Sequence, residues 1–142
     1  YMFDVGGKEF GDIESDSYDG SYASDRSIKI DKIVEKNSRF TFLYDFGDGW
    51  QHEIQFEKEV QAIRDETYPK VIDGANACPP EDCGGPGGFH EYKLAVTNSK
   101  HPRHRDLIEW GGEFDPENFN MDLANLRLMR RKIPKNLKIK NA

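Results

Sequence analysis

The stretch "RFTFLYDFGDGWQHEIQF", residues 39–56, decides the fold of this chain. Its apolar side chains alternate with other residues on both sides of a glycine-rich centre, which is typical of two β-strands joined by a turn. Cross-strand neighbours lie on the same face of a sheet. A three-residue turn at residues 47–49, with Gly49 in the left-handed conformation, meets that condition. It predicts the pairs Phe46–Trp50, Tyr44–His52, Phe42–Ile54 and Phe40–Phe56.

Shorter elements are predicted on both sides of this hairpin. "YMFDVGGKEFG" predicts a hairpin that turns at Gly6 and Gly7, where positive φ costs little. Residues 12–27 are rich in Asp, Ser and Gly and predict a mobile loop. Asp31 then caps a short predicted helix. "GGPGG" predicts a flexible connector.

Three helices are predicted in the C-terminal half of the chain. They lie in "GFHEYKLAVTN", in "HPRHRDLIEWGG" starting at Pro102, and in "FDPENFNMDLANLRLMRRKIP" entered through Pro116. Since strands come first and helices later, the prediction is an α+β fold. An antiparallel or mixed sheet is centred on the hairpin at residues 40–56, and the helices pack on it.

The length of 142 residues is that of one ordinary domain, and the 36% of hydrophobic residues, below the usual share, suffices for one core but not for two. No apolar run approaches the roughly 18–20 residues of a membrane helix, and no signal peptide is visible at the start. We therefore predict a cytoplasmic protein without a membrane partner. The chain opens at Tyr1, which suggests that upstream residues are missing.

The net charge of −6 conceals an asymmetry along the chain. Residues 127–142 contain seven basic and no acidic side chains, which leaves 13 basic and 26 acidic side chains elsewhere. A basic tail on an acidic body can contact nucleic acid, and Arg127, Arg130, Arg131 and Lys132 are the candidate contacts. The same pattern is typical of a solvated terminus, or of one that folds back onto the acidic body. A protein partner is the other class considered.

The hairpin turn carries the first candidate site, formed by Asp45, Asp48 and His52. In one interpretation His52 is a general base that an aspartate orients. In the other, His52 is a core histidine beside Tyr44, held by hydrogen bonds, and both aspartates cap backbone amides in the turn. The second interpretation is favoured.

"CPPEDCGGPGG" is the second unusual segment. Cys78 and Cys83 are spaced as half of a zinc site that a histidine (His52, His90, His101 or His104) would complete. Structural thiols, a local disulfide and a redox pair are the alternatives, with structural thiols favoured. If this loop meets the hairpin turn, Glu81 and Asp82 join Asp45, Asp48 and His52 in one polar pocket, where acid–base or metal chemistry is conceivable.

Three blocks, "YDFGDGWQHEI", "CPPEDCGGPGGFHEY" and "HPRHRDLIEWGGEFDPENFN", resemble in order and spacing the plasmid pRiA4b ORF-3-like family. The resemblance covers residues 1–128, which we predict to be a single domain, with residues 129–142 as a basic tail. It implies an α+β domain of prokaryotes, often found near plasmids and mobile elements, with no assigned reaction and no catalytic residue to carry over. The family pattern begins with a further strand pair and a helix, so the N-terminal part of the domain is expected to be missing.

Together these observations predict a non-enzymatic binding or accessory module. The first alternative is a metal-assisted hydrolase, with Asp45, Asp48, Glu81 and Asp82 as metal ligands and His52 as base. The second alternative is a small zinc-stabilised domain closed by Cys78 and Cys83.

Overall fold

The computed structural model describes residues 1–14 and 19–130, without the side chain of Arg130. Five strands are followed by three helices, which confirms the α+β class. The chain forms two compact units. The sheet unit comprises Tyr1–Glu59 and Glu81–Glu91, and the helical unit comprises Val60–Pro80 and residues 92–130.

The sheet has the strand order β3-β2-β1-β4-β5. All neighbouring strands are antiparallel except β2 and β3. The N-terminal hairpin is confirmed, since Gly6 and Gly7 turn between β1 and β2 with φ of 62° and 79°. Because β1 pairs with both β2 and β4, it is the central strand. The hairpin at residues 40–56 therefore forms one end of the sheet instead of its centre. The strands are β1 (Met2–Val5), β2 (Lys8–Gly11), β3 (Ala23–Ser24), β4 (Arg39–Tyr44) and β5 (Trp50–Gln55).

The register of the β4–β5 hairpin differs from the predicted one by two residues. Tyr44 pairs with Trp50, and Phe42 pairs with His52, so the connecting loop has the five residues 45–49. A shift of two residues leaves every side chain on its predicted face, because the side-chain period of a strand is two. The predicted face is thus correct, and Tyr44 and His52 share it, but the three-residue turn is wrong.

Asp45 explains the longer loop. Its Oδ1 accepts hydrogen bonds from the backbone N–H groups of Gly47 (2.9 Å) and Asp48 (3.2 Å). Asp45 itself has a φ of 54°, which aspartate tolerates better than most residues. The capping residue therefore leaves the ladder early, and Phe46 is 44% exposed instead of pairing with Trp50. Gly49 has the predicted left-handed conformation, with φ of 68°.

The segment after β2 is more ordered than predicted. Residues 15–18 lie outside the described part of the chain, but Ala23–Ser24 adds a parallel strand and Asp25–Ser27 forms a 3₁₀ turn. Tyr22 is buried close to Gly11, where an added Cβ would stand 2.7 Å from the tyrosine ring. A buried aromatic side chain thus anchors the end of the predicted mobile loop. The predicted short helix is a second 3₁₀ turn, Ile30–Lys32, with Asp31 inside it instead of at its cap.

The three predicted helices are present with different bounds: α1 (Gly85–Thr97), α2 (His104–Gly111) and α3 (Met121–Arg130). Helix α1 begins within "GGPGG", so that segment is a helix start and not a flexible connector. Proline is tolerated in the first turn of a helix, where its missing N–H has no partner to lose. Helix α3 begins later than predicted because the Asn120 side chain accepts the Leu123 N–H at 2.8 Å and caps the helix there.

Each unit has a small core of its own. Phe10, Tyr22 and Phe40 are buried in the sheet unit. In the helical unit Tyr92 is 1% exposed, and its ring meets those of Trp110 and Phe114 edge-on at 5.6 and 5.3 Å. Such edge-to-face contacts are favourable for aromatic rings.

Candidate functional site

Two loops of the sheet unit meet, residues 45–49 of the hairpin and residues 81–85 before α1; we name this meeting point the loop junction. The Asp48 carboxylate accepts a hydrogen bond from the Gly84 N–H at 3.2 Å. Gly84 and Gly85 have φ of 86° and 66°. A Cβ added to Gly85 would overlap the backbone carbonyl oxygen of Asp48. Only glycine allows this approach, because it combines a left-handed backbone with no side chain.

A second hydrogen bond ties the same loops together. The Tyr44 hydroxyl donates to the Glu81 carboxylate at 3.1 Å. This hydrogen bond, together with the negative charge of Glu81, raises the pKa of Tyr44 above its usual value. A phenol is protonated at neutral pH even without this rise, so the Tyr44 hydroxyl can donate to Glu81 there. Asp45, Asp48 and Glu81 are thus each engaged in a hydrogen bond that shapes or joins the loops.

The loop junction is strongly acidic. Its carboxylates are Asp45, Asp48, Glu81 and Asp82, and none of them forms a salt bridge within residues 1–14 and 19–130. Glu81 and Asp82 are exposed, whereas Asp45 and Asp48 are half-buried. Four carboxylates on two loops that touch, without basic partners, leave a negative potential at the surface, which attracts cations.

His52 is not the buried histidine that the sequence predicted. Its side chain is exposed, its ring lies 5.4 Å from that of Phe42, and its Nδ1 lies 3.3 Å from the Phe42 carbonyl oxygen. The reason is the position of the hairpin, since β5 is the last strand of the described sheet. The shift in register also makes Phe42, instead of Tyr44, its cross-strand partner.

Cys78 and Cys83 are both free thiols. Cys78 is exposed in the helical unit, and Cys83 is half-buried in the sheet unit. Burial and then the nearby charge of Asp48 raise the pKa of the Cys83 thiol, which is the opposite of what activates a catalytic cysteine. Over the described residues, no three His, Cys, Asp or Glu side chains come together in a group that could hold a metal ion. The predicted zinc ligand set is therefore not assembled there.

The candidate nucleic-acid contacts lie at the end of the described chain. Arg127 is an exposed residue of α3, and Arg130 is its last residue. Arg131 and Lys132 lie outside the described residues. Their proposed role stays a prediction from the sequence.

A comparison with known protein families identifies the family of this chain. The family model described as "Plasmid pRiA4b ORF-3-like protein" matches residues 1–123. The chain belongs to the plasmid pRiA4b ORF-3-like family. The resemblance seen in the three sequence blocks is thereby confirmed.

Two known proteins are similar to this pRiA4b ORF-3-like chain. It is 34% identical over 126 residues to "Uncharacterized protein y4hQ" of Sinorhizobium fredii (strain NBRC 101917 / NGR234), which covers 88% of this chain and 63% of that protein. It also resembles the crystal structure of the "Protein of Unknown Function MM3350" of Methanosarcina mazei Go1, with a TM-score of 0.73 and 28% identity over 85% of this chain and 70% of the other. The chain thus spans less than two thirds of the length of y4hQ.

The geometry explains two of the blocks that mark this pRiA4b ORF-3-like chain. "YDFGDGWQHEI" supplies one side of the loop junction and "CPPEDCGGPGGFHEY" supplies the other. Sequence reasoning missed the roles of Tyr44, Gly84 and Gly85. The signal for the glycines was present, since paired glycines before a helix indicate a close backbone approach. No sequence signal indicated which backbone they approach.

Among the described residues, no helix of this pRiA4b ORF-3-like chain has the length and apolar character needed to cross a membrane.

Proposed function

We propose that this protein is a non-enzymatic binding module whose acidic loop junction binds a positively charged segment of a partner protein. The proposal rests on one observation: the polar residues of the junction form hydrogen bonds that shape and join its two loops. Asp45 and Asp48 bind backbone N–H groups, and Glu81 accepts the Tyr44 hydroxyl. The carboxylates therefore have a structural role in the two loops. The same arrangement gathers their negative charge at the junction.

The favoured partner is cationic because the carboxylates of the junction have no basic partner within the described residues. Exposed ion pairs contribute about 0.2–1 kcal/mol each and weaken with salt. A lysine- or arginine-rich segment that pairs with Glu81 and Asp82 would therefore bind weakly and reversibly. Such binding suits an accessory role. The family description refers to a plasmid, which supports an association of this role with mobile elements.

A labelled lysine- and arginine-rich peptide is the direct probe, with binding followed by fluorescence anisotropy at several salt concentrations. The test variant is Glu81→Gln with Asp82→Asn, which keeps side-chain shape and hydrogen-bond acceptors. The control is Glu57→Gln with Glu59→Gln, which removes the same charge from two other exposed acids of the sheet unit. Two lost pairs predict about two- to thirtyfold weaker binding for the test variant, and little change for the control. Equal losses would mean that only the net charge matters, and would contradict a site at the junction.

The other partner class considered is nucleic acid, reached through the basic C-terminal residues. Removal of residues 130–142, followed by measurement of nucleic-acid retention against salt, tests it. Loss of retention with a shallower salt dependence would favour nucleic acid as the partner. Unchanged retention would exclude the tail as the contact.

The hydrolase and zinc-domain alternatives are separated from the binding module by elemental analysis of the purified protein. A stoichiometric metal would favour one of those alternatives, with Cys78 and Cys83 substitutions showing whether the thiols hold it. The binding module is preferred because Asp48 and Glu81 each form a hydrogen bond that joins the two loops of the junction.

A further inference from the structure

Strand β5 lies at one end of the described sheet, so one of its two edges has no partner strand there; we name it the outer edge. The Phe56 N–H donates to the Ser38 carbonyl oxygen at 3.0 Å, on the side of β4. Because backbone groups alternate in direction along a strand, the N–H and C=O groups of Gln51, Glu53 and Gln55 point away from β4. The side chains of these three residues are exposed.

The outer edge has few of the features that keep such edges from pairing with another chain. Those features are proline, bulges, several charged side chains or a very short strand. Strand β5 has six residues, pairs with β4 without a bulge, and contains Glu53 as its single carboxylate. Trp50 and Ile54 are half-buried, so part of each side chain remains accessible. The outer edge can therefore accept a further extended strand.

The sequence of β5 is complementary to itself when a second copy runs antiparallel to it. If Gln51 lies opposite Glu53 of the second copy, then Trp50 lies opposite Ile54 of that copy. His52 then meets His52 of the second copy on a twofold axis. The apolar side chains face each other, and the Gln51 amide can donate to the Glu53 carboxylate. The ladder spans residues 50–54 of both copies, and residues 51 and 53 exchange the backbone hydrogen bonds.

The other registers that keep the same face are less favourable. They are shifted by two residues at a time, because the side-chain period of a strand is two. A register centred on Glu53 sets two carboxylates directly opposite each other, which is destabilising. Registers centred on Gln51 or on Ile54 pair fewer residues of β5. The register centred on His52 is therefore the best fit of this edge to a second copy.

We propose that β5 pairs with β5 of a second copy of this chain, antiparallel and centred on His52, so that two sheets join into one. The contact uses one short strand from each copy, whereas stable complexes bury about 1,200–2,000 Å². The dimer is therefore weak and reversible. It should form between micromolar and millimolar protein, at a salt concentration that screens the net charge of −6.

Cysteine substitutions identify the residue on the twofold axis. The background is Cys78→Ser with Cys83→Ala, which removes both native thiols. In it His52→Cys should form an intermolecular disulfide under mild oxidation, because the Cα atoms of a pair without hydrogen bonds lie about 4.5 Å apart. Gln51→Cys and Glu53→Cys are the matched controls and should cross-link far less, since their equivalent residues lie about 7–8 Å apart. Fastest cross-linking at Glu53→Cys would overturn the proposal. Cross-linking at none of the three positions would also overturn it, and would leave the outer edge to a different partner.

Two substitutions of Gln51 test the same register in the protein with its own cysteines, followed by analytical ultracentrifugation. Gln51→Lys sets a positive charge opposite Glu53 of the second copy and should tighten the dimer about two- to thirtyfold, the range for two exposed ion pairs. Gln51→Glu sets like charges there and should weaken the dimer by a similar factor. Gln55→Lys and Gln55→Glu are the controls, because Gln55 is exposed on the same face but lies outside the ladder. Equal effects at residues 51 and 55 would contradict this pairing, as would a protein that stays monomeric at millimolar concentration.

Discussion

Replacing Gly85 with alanine should separate the two loops that form the junction. A Cβ at this position would stand 3.1 Å from the Asp48 carbonyl carbon and would overlap its oxygen. The backbone φ of 66° adds a cost of about 1 kcal/mol for a residue with a side chain. If the loops move apart, the Gly84–Asp48 hydrogen bond is lost as well. At 3.2 Å this bond is long, so the low end of the range for charged acceptors, about 1.5 kcal/mol, applies.

The expected loss for Gly85→Ala is therefore about 2–4 kcal/mol of unfolding free energy. Substitutions at two other glycines separate the backbone contribution to this loss of unfolding free energy from the contribution of the steric overlap. Gly49 has a φ of 68° and open space around a built Cβ, so Gly49→Ala should cost only the backbone term, about 1 kcal/mol. Gly87 has open space and no positive φ, so Gly87→Ala should stabilise α1 by about 0.5–1 kcal/mol.

Urea unfolding of the three variants measures these differences. Trp50 is the reporter, because its ring meets that of Phe89 edge-on at 6.1 Å within the sheet unit. Trp110→Phe, at a 51% exposed position, removes the other tryptophan from the signal. Hydrogen exchange of the Gly84 amide gives a local readout, and its protection should fall in Gly85→Ala alone. The close approach of the loops is refuted if Gly85→Ala is no less stable than Gly49→Ala.

Three further outcomes are expected. At a pH slightly above neutrality iodoacetamide should alkylate exposed Cys78 well before Cys83, whose pKa burial raises, and mass spectrometry of digested protein would show equal rates if that is wrong. The hydrogen bond to a carboxylate raises the pKa of Tyr1 to about 12, so its contribution to stability should be complete below pH of about 10 and disappear as the pH rises towards the folded value. Tyr1→Phe should lack that alkaline loss in urea unfolding, and an identical slope would count against the bond. Asn125 holds Val71 through two hydrogen bonds of 2.8 and 3.0 Å, so Asn125→Ala should lower the unfolding free energy of the helical unit by about 1–3 kcal/mol, as circular dichroism would show.

The sequence predicted the parts of the fold that depend on period and composition. Alternation over residues 39–56 identified both strands and the face each side chain occupies, because a strand repeats every two residues. It did not identify the turn, since a shift of two residues leaves that face unchanged. What decides between the registers is the Asp45 side chain, which binds two loop amides. These hydrogen bonds are a local effect, which the pattern of hydrophobic residues does not reveal.

The position of the hairpin was also beyond pattern reasoning. The pairing of β1 with β4 joins segments about 40 residues apart, and the sequence of neither strand indicates which strand it pairs with. The predicted burial of His52 failed for this reason, because it assumed a central hairpin. Two helices start at other residues than predicted, for local reasons. The Asn120 side chain caps α3, and α1 begins at Gly85, which has a positive φ.

The geometry of the loop junction assigns a structural use to aspartates and glycines of the two sequence blocks. Asp45 caps a turn, Asp48 holds a backbone amide, and Gly85 lets two backbones approach. Gly88 serves similarly, since an added Cβ would overlap the Cys83 carbonyl oxygen. These contacts give the aspartates and glycines of the junction a role in holding the two loops together. Glu81 and Asp82, the exposed carboxylates of the junction, are therefore the groups at which binding experiments on this protein should begin.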